Sequence, residues 1–256
     1  MIERMRKRSW PCRLGLAGGI DKDGSRAAEL LAAGFDSVEF GTVTPQPEEG
    51  HNSGLAALVS RLASLSPRLT DKPRVGIGIG MSSSGPPAAL PDEWASGFRG
   101  ARAIADYACF NLSARRYQSL LNTAHLPLLR YAFATVAAVR QSEQGRDVAV
   151  TLKIPLGVDD AFPLALAETA VSEGFDAIIA VLPDSAHRLD RLRLLADRLH
   201  GKAGLVAVGG IRNADDARAA HAAGADGVQV HRVFTELGAA CLPALGRTTT
   251  SAQQLI

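Results

Sequence analysis

The sequence predicts a single-domain α/β protein, a closed parallel (β/α)8 TIM barrel. Three observations carry that prediction. Eight short apolar runs alternate with helical segments along the chain, the pattern of parallel strands buried on both faces. One junction recurs three times: Ala33-Gly34-Phe35-Asp36-Ser37-Val38, Glu173-Gly174-Phe175-Asp176-Ala177-Ile178 and Ala223-Gly224-Ala225-Asp226-Gly227-Val228. Each is a glycine helix stop, one residue, an aspartate and a strand, so one helix-to-strand connection is reused. Finally, 256 residues suit one large α/β domain. A doubly wound open sheet is the alternative; strand number and chain length favour the closed barrel.

The elements follow in order. A strand over 13–17 opens into Gly18-Gly19-Ile20-Asp21-Lys22-Asp23-Gly24, and a helix over 25–33 stops at Gly34, as a C′ glycine would. The second strand is 37–43; Pro45 and Pro47 mark the loop after it, and a helix covers 55–65. The third strand, 75–80, leads into a Ser-Gly-Pro loop and a helix over 93–104. The fourth strand is 107–112, with a helix within 128–140. The fifth is 148–154, with a helix over 160–173 closed by Gly174. The sixth is 177–182, with a helix over 188–199. The seventh, Leu205-Val206-Ala207-Val208, ends in Gly209-Gly210-Ile211; Asn213 then caps a helix with Asp215 and Asp216 in its first turn. The eighth is 227–231. The barrel is expected to occupy residues 13–246, with tails over 1–12 and 247–256.

Composition removes several function classes. A net charge of +2 and 5% aromatic residues give neither the basic footprint nor the stacking surface of a nucleic-acid binder. No apolar run approaches the ~20 residues of a membrane span. Arg4, Arg6, Lys7 and Arg8 precede no apolar segment, so the N-terminus reads as a solvated tail, not a secretory signal. The three cysteines and six histidines show no ligand spacing, so no metal site is expected, and widely spaced unpaired cysteines point to a reducing, cytoplasmic setting.

In a barrel of this kind the chemistry sits at the C-terminal ends of the strands. Those ends carry Gly18, Gly19, Asp21 and Lys22; Gly41 and Thr42; Gly78 and Gly80; Asn111 and Ser113; Lys153; Gly209 and Gly210; and His231 and Arg232. Lys22 and Lys153 end otherwise apolar strands, and a buried lysine is costly unless it meets an anion or a carboxylate. The Gly-Gly turn before the seventh helix suits a phosphate, because backbone N–H groups approach an anion there beside a helix N-terminus. Thr42, Asn52 and Asn111 offer hydrogen bonds to a heterocycle. A small-molecule substrate is therefore expected.

Two segments resemble the opening of a dihydroorotate dehydrogenase, class 2 in particular: Gly15-Leu16-Ala17-Gly18-Gly19-Ile20-Asp21-Lys22-Asp23-Gly24 and Gly41-Thr42-Val43-Thr44-Pro45-Gln46-Pro47. Gly50-His51-Asn52-Ser53-Gly54 is similar to the family's substrate loop, Asn111-Leu112-Ser113 to the start of its catalytic loop, and Lys153-Ile154-Pro155 and Val208-Gly209-Gly210-Ile211 to its flavin-contacting strand ends. The resemblance spans roughly 14–245. It implies FMN at the top of the barrel, with Ala17, Gly18, Lys22, Gly41, Thr42, Asn111, Lys153, Gly209, Gly210, His231 and Arg232 around the cofactor. Lys22, Asn52, Asn111 and Arg116 would contact substrate, and Lys22, Asn111 and Ser113 would form the catalytic set. A homodimer, as in class 1 relatives, also falls within what the resemblance implies.

The departures are specific. Ala114 stands where the family keeps its serine or cysteine base, and Arg116 replaces an asparagine. Gly78 replaces another, and Leu182-Pro183 replaces an Asn-Thr pair. The segments after the second and sixth strands are short, and the family's membrane-facing N-terminal helices have no counterpart here, so a quinone acceptor is not expected. Three readings follow: an FMN-dependent oxidoreductase with a changed substrate or reduced activity, a non-catalytic barrel acting as a binding partner, or a flavin-free isomerase or lyase using Lys22 or Lys153.

Overall fold

The computed structural model describes residues 10–65, 73–143, 145–157 and 161–247. Eight parallel strands close a barrel in sequence order: β1 (Leu14–Leu16), β2 (Ser37–Val43), β3 (Arg74–Ile79), β4 (Tyr107–Asn111), β5 (Ala149–Pro155), β6 (Ala177–Val181), β7 (Gly204–Val208) and β8 (Gly227–Val230). β1 pairs with β8, so the barrel has no edge. The helices α1 (Ala27–Ala32), α2 (Leu55–Leu65), α3 (Leu90–Ala101), α4 (Leu126–Ser142), α5 (Phe162–Ser172), α6 (Arg188–Leu199), α7 (Ala214–Ala222), α8 (Arg232–Leu237) and α9 (Cys241–Ala244) complete the described chain. The closed barrel is the expected fold, and β2, α2 and α6 occupy their expected ranges.

The differences are local. α1 begins at Ala27, not at 25, because Asp21 holds the preceding loop: its carboxylate accepts from the backbone N–H groups of Asp23, Gly24 and Arg26. α3 starts three residues early, with Pro91 in its first turn, where a missing N–H costs nothing. The expected helix start at residue 160 and the tails over 1–9 and 248–256 lie outside the described residues. Trp10 and Cys12, assigned by sequence to the tail, are a correction: both are buried.

The lower rim explains the repeated junction. Asp36, Asp176 and Asp226 each turn a carboxylate oxygen to the backbone N–H that starts a neighbouring strand: Leu14, Val150 and Leu205, at 2.9, 2.8 and 2.9 Å. Asp106 does the same to Val75 at 2.8 Å without a glycine before it, which hid it from the pattern. Gly34, Gly174 and Gly224 all adopt φ near +100°, a conformation that strains any residue with a Cβ.

Side chains alternate across each strand. The outward row (Leu16, Val38, Phe40, Ile77, Phe110, Leu152, Ile178, Leu205) packs on the helices in one core. Within it Phe110 lies 4.8 Å from Trp94 and 5.8 Å from Phe175, ring centroid to centroid. The inward row forms a second cluster including Tyr107, Cys109, Ile179, Val206 and Val208, closed from below by Trp10. Trp10 and Tyr107 meet edge to face at 5.0 Å. Tyr107 lies where a side chain at 76 would go: a Cβ on Gly76 would fall 2.1 Å from its ring. The bottom of the barrel is thus filled by two aromatic rings, and its open space lies at the top.

Asp226→Ala should leave the Leu205 N–H buried without an acceptor, at about 1–3 kcal/mol. Thermal unfolding should then fall by about 2–4 °C per kcal/mol, whereas Asp226→Asn, which keeps the acceptor, should lose less. Equal losses in the two variants would contradict the role given to the carboxylate.

Candidate active site

Above the aromatic floor, the C-terminal ends of the strands surround a cavity of about 910 Å³. That is near the upper end of the roughly 300–1,000 Å³ of small-molecule sites. Its wall contains Ala17, Gly18, Lys22, Thr42, Asn52, Asn111, Ser113, Arg116, Lys153, Gly209, Gly210, His231 and Arg232, all of the expected site residues except Gly41. Gly41 lies behind the wall. A Cβ there would come 2.6 Å from the Gly78 carbonyl, so this glycine serves the close approach of β2 to β3. His51 and Ala114 also line the cavity.

The deepest part of the wall is a buried polar network. The Lys153 ammonium lies 3.2 Å from Glu39 Oε1, with side-chain exposures of 7% and 0%. Gln229 Nε2 donates to Glu39 Oε2 at 3.1 Å and to the Tyr107 hydroxyl at 3.3 Å. Gln229 Oε1 is buried and has no hydrogen-bond partner. Burial pulls the Lys153 ammonium down, but the Glu39 carboxylate, together with Cys109, more than offsets this and holds the group above the ordinary lysine value. The expectation that a buried lysine finds a carboxylate holds here; the carboxylate itself was missed. Its signal was one acid in the middle of an apolar strand, Ser37-Val38-Glu39-Phe40. By contrast, Lys22 is exposed on the rim and has no hydrogen bond or ion pair among the described residues.

One side of the mouth is a locked set of loops. Asn111 Nδ2 donates to Thr42 Oγ1 at 2.7 Å, and Asn111 Oδ1 accepts from the Ser113 N–H and hydroxyl at 2.8 and 2.7 Å. The Ser113 hydroxyl is therefore turned onto an amide oxygen. Asn52 Oδ1 accepts from Thr44 and Gly54, and Asn52 Nδ2 donates to Glu48 at 3.3 Å. Glu48 also receives the Ser83 N–H at 2.5 Å and the Arg116 guanidinium at 3.2 Å, joining the loops after β2, β3 and β4. Arg116 lies over the Tyr117 ring at 5.0 Å. Sequence reasoning missed Glu48.

The opposite side is cationic. Arg188, Arg212, Arg232 and His231 stand around Gly209 and Gly210. Those glycines have φ of +102° and +69°, and neither their N–H groups nor that of Arg232 is hydrogen-bonded within the described residues. Arg188, first residue of α6 and also missed, reaches within 3.0 Å of where a Gly210 Cβ would sit and lies 3.4 Å from Asp216. Burial, then Lys153 and Arg232, push the His231 imidazole below its usual value, so it is neutral at pH 7. This end attracts an anion.

No cluster of metal-ligating side chains occurs among the described residues, and all three cysteines are unpaired and buried. No helix among them is long and apolar enough to cross a membrane.

Fold and cavity define a (β/α)8 barrel with an enzyme-type site at its C-terminal mouth. No protein-family model matches the chain. Its curated relatives include a dihydroorotate dehydrogenase (quinone) of Methylococcus capsulatus, 29% identical with 94% of this chain and 84% of the relative covered. Another, from Thiobacillus denitrificans, is 30% identical with 87% and 79% covered. A ligand-free dihydroorotate dehydrogenase from Eimeria tenella superposes with a TM-score of 0.78 at 20% identity, covering 96% of this chain and 87% of the other. The chain belongs to the dihydroorotate dehydrogenase family.

The depressed His231 value carries a test. In an NMR titration its imidazole should show a midpoint below 6.5, and Arg232→Ala should move that midpoint upward. Because the folded-state value lies below the unfolded one, this histidine should make stability rise with pH up to about 6.5 and add no slope above it. A midpoint at or above 6.5 would contradict the described environment.

Proposed function

We propose that this protein is an FMN-dependent oxidoreductase of the dihydroorotate dehydrogenase type whose substrate side has changed. The observation that carries the reading is the division of the cavity wall. The residues that the family resemblance assigns to the cofactor, Gly41 excepted, line one open space, and Ala114 stands where the resemblance implies the base.

The residues present fit FMN. The unbonded N–H groups of Gly209, Gly210 and Arg232, with Arg188 beside them, suit its phosphate. Lys153 lies at the other end of the floor, where its ammonium would offset charge at the electron-rich edge of the ring system. Thr42 and Asn111, hydrogen-bonded to each other, would meet the ring plane. FMN, when bound, supplies a hydride acceptor. This chain must then remove the accompanying proton, and here the family pattern is broken. Ala114 cannot accept a proton, and Ser113 donates its own to Asn111. Losing a positioned base typically lowers a rate by about 10²–10⁴.

The substrate-facing loops support a different ligand. Arg116 brings a fixed positive charge to the wall, held by Glu48. Leu182 and Pro183 present no side-chain hydrogen bond where the family presents two polar groups. A ligand shaped for those lost partners leaves polar groups unpaired, at about 1–3 kcal/mol each. A Schiff-base lyase using Lys153 is disfavoured, because an ammonium paired to a buried carboxylate is a poor nucleophile.

Purified protein should be yellow, or become so on adding FMN. Protein that stays colourless and fails to quench FMN fluorescence would sink the proposal. With dihydroorotate and a soluble acceptor, turnover should be low and should rise in Ala114→Ser, by up to about 10²-fold. Rapid turnover that this variant leaves unchanged would refute the reading of Ala114.

A further inference from the structure

We propose that Glu39 is a positioning residue: it keeps the Lys153 side chain charged and fixed at the cavity floor, where that charge meets the bound cofactor. The cofactor clause rests on the FMN reading above; the Glu39–Lys153 clause does not.

The geometry is specific. Glu39 is fully buried, and both carboxylate oxygens have partners on other strands, Lys153 on β5 and Gln229 on β8. Gly18 leaves room for it: a Cβ there would sit 2.5 Å from Glu39 Oε1. That places the carboxylate directly behind a glycine of the cavity wall. Gly18 is thus tied to the carboxylate as well as to the open space. Gln229 is anchored from below by the Tyr107 hydroxyl, so the carboxylate is reached by a column rising from the aromatic floor. A carboxylate held from two other strands fixes its lysine in turn.

The charges around Lys153 are few. From β2 it faces Glu39; from β4, Cys109, whose thiol burial and then Glu39 push well above its ordinary value. Tyr107, also on β4, is raised well above its usual range by burial and then by Glu39. His231 and Arg232 lie beyond β8, with His231 feeling the Lys153 charge. β6 contributes Ile179, paired with Lys153 in register and apolar. Glu39 is therefore the counter-charge that holds Lys153 protonated.

The test compares wild type, Glu39→Gln and Glu39→Gln/Lys153→Met by thermal unfolding from pH 7 to 10, without added cofactor. In the wild type Lys153 has a raised folded-state value, so its contribution is complete below about 10.5 and lost above it. It should add no slope in this window. In Glu39→Gln burial is opposed only by Cys109, whose thiol is itself held well above its ordinary value, and the folded-state value should fall below the unfolded one. The unfolded chain then holds the proton more tightly, and the unfolding temperature should rise with pH relative to wild type. The double variant should lose that rise. A Glu39→Gln profile parallel to wild type would overturn the proposal.

Should Glu39→Gln fail to fold, Lys153→Met gives the converse reading. It leaves a buried carboxylate without its cation, and stability should fall as pH rises and that carboxylate must carry an unpaired charge; a profile parallel to wild type would again overturn the proposal. FMN binding, followed by fluorescence quenching, tests the cofactor clause. Wild-type affinity should be level between pH 7 and 9.5, and that of Glu39→Gln should weaken by about tenfold. An unchanged ratio in a variant that shows the stability slope would overturn the cofactor clause. A wild type that binds no FMN would instead remove the functional reading while the stability arm still decides the role of Glu39.

Discussion

A carboxylate with no exposed surface stays ionised only if the fold brings charge and hydrogen bonds to it. Glu39 meets that condition through a lysine from β5 and an amide from β8, neither near it in sequence. Only closure of the sheet puts those strands across from one another. The pair in turn needs the Gly18 gap, the Gln229 amide and the Tyr107 hydroxyl to keep their places. Taking two charges out of water costs several kcal/mol per ion, and well-packed apolar side chains are often as stable or more so. The network is thus poorly explained as a stabilising device. It is better explained by what it presents upward, a fixed cation at the bottom of a cavity.

The two ends of the barrel divide the labour. Below, four aspartates accept strand N–H groups, and Trp10 with Tyr107 fills the interior. The aspartates there hold strands in register. Above, the inward row changes from aromatic to small and polar, and backbone N–H groups at Gly209 and Gly210 are left unbonded. A loss at the lower rim is paid in stability; a change at the upper rim alters what is bound. The family's barrel can therefore be retained while the loops over its mouth diverge.

The architecture was legible because it is written in local patterns. Alternating apolar runs and helical segments, a repeated Gly-x-Asp junction and Asn213 as a cap all act within a few residues, and the structure repeats them. The strand ends were legible as well, since a lysine or a glycine pair stands out at the end of an apolar run. What sequence could not provide was partnership across the barrel. Glu39 looked like one acid in a strand; its meaning lies 114 positions away in Lys153 and 190 away in Gln229. Glu48 reads as a loop acid until Arg116 and Ser83 come to it. Trp10 appeared to belong to a solvated tail because its contacts, Tyr107 and the glycines of β7 and β8, are distant in the chain. Gly41 is a further case of distant partnership. Its place at a strand end suggested a ligand contact, whereas its space is taken by the neighbouring strand.

The two sides of the cavity have different physical constraints. The side with Gly209, Gly210 and Lys153 recognises charge through backbone groups and through one lysine anchored in the barrel. Backbone N–H groups survive substitution of neighbouring side chains, and Lys153 is held by the buried Glu39 carboxylate. The side with Asn52, Ser113, Ala114 and Arg116 sits on three loops joined by Glu48, and loops accept substitution at small cost to the fold. An arginine at 116 is accommodated because Glu48 neutralises it and the Tyr117 ring supports it. An alanine at 114 is accommodated half-buried against the core. A wall built into strands and a wall built on loops can therefore change independently. The Lys153 cation is fixed by the barrel, whereas Ala114 of the same cavity stands on a loop.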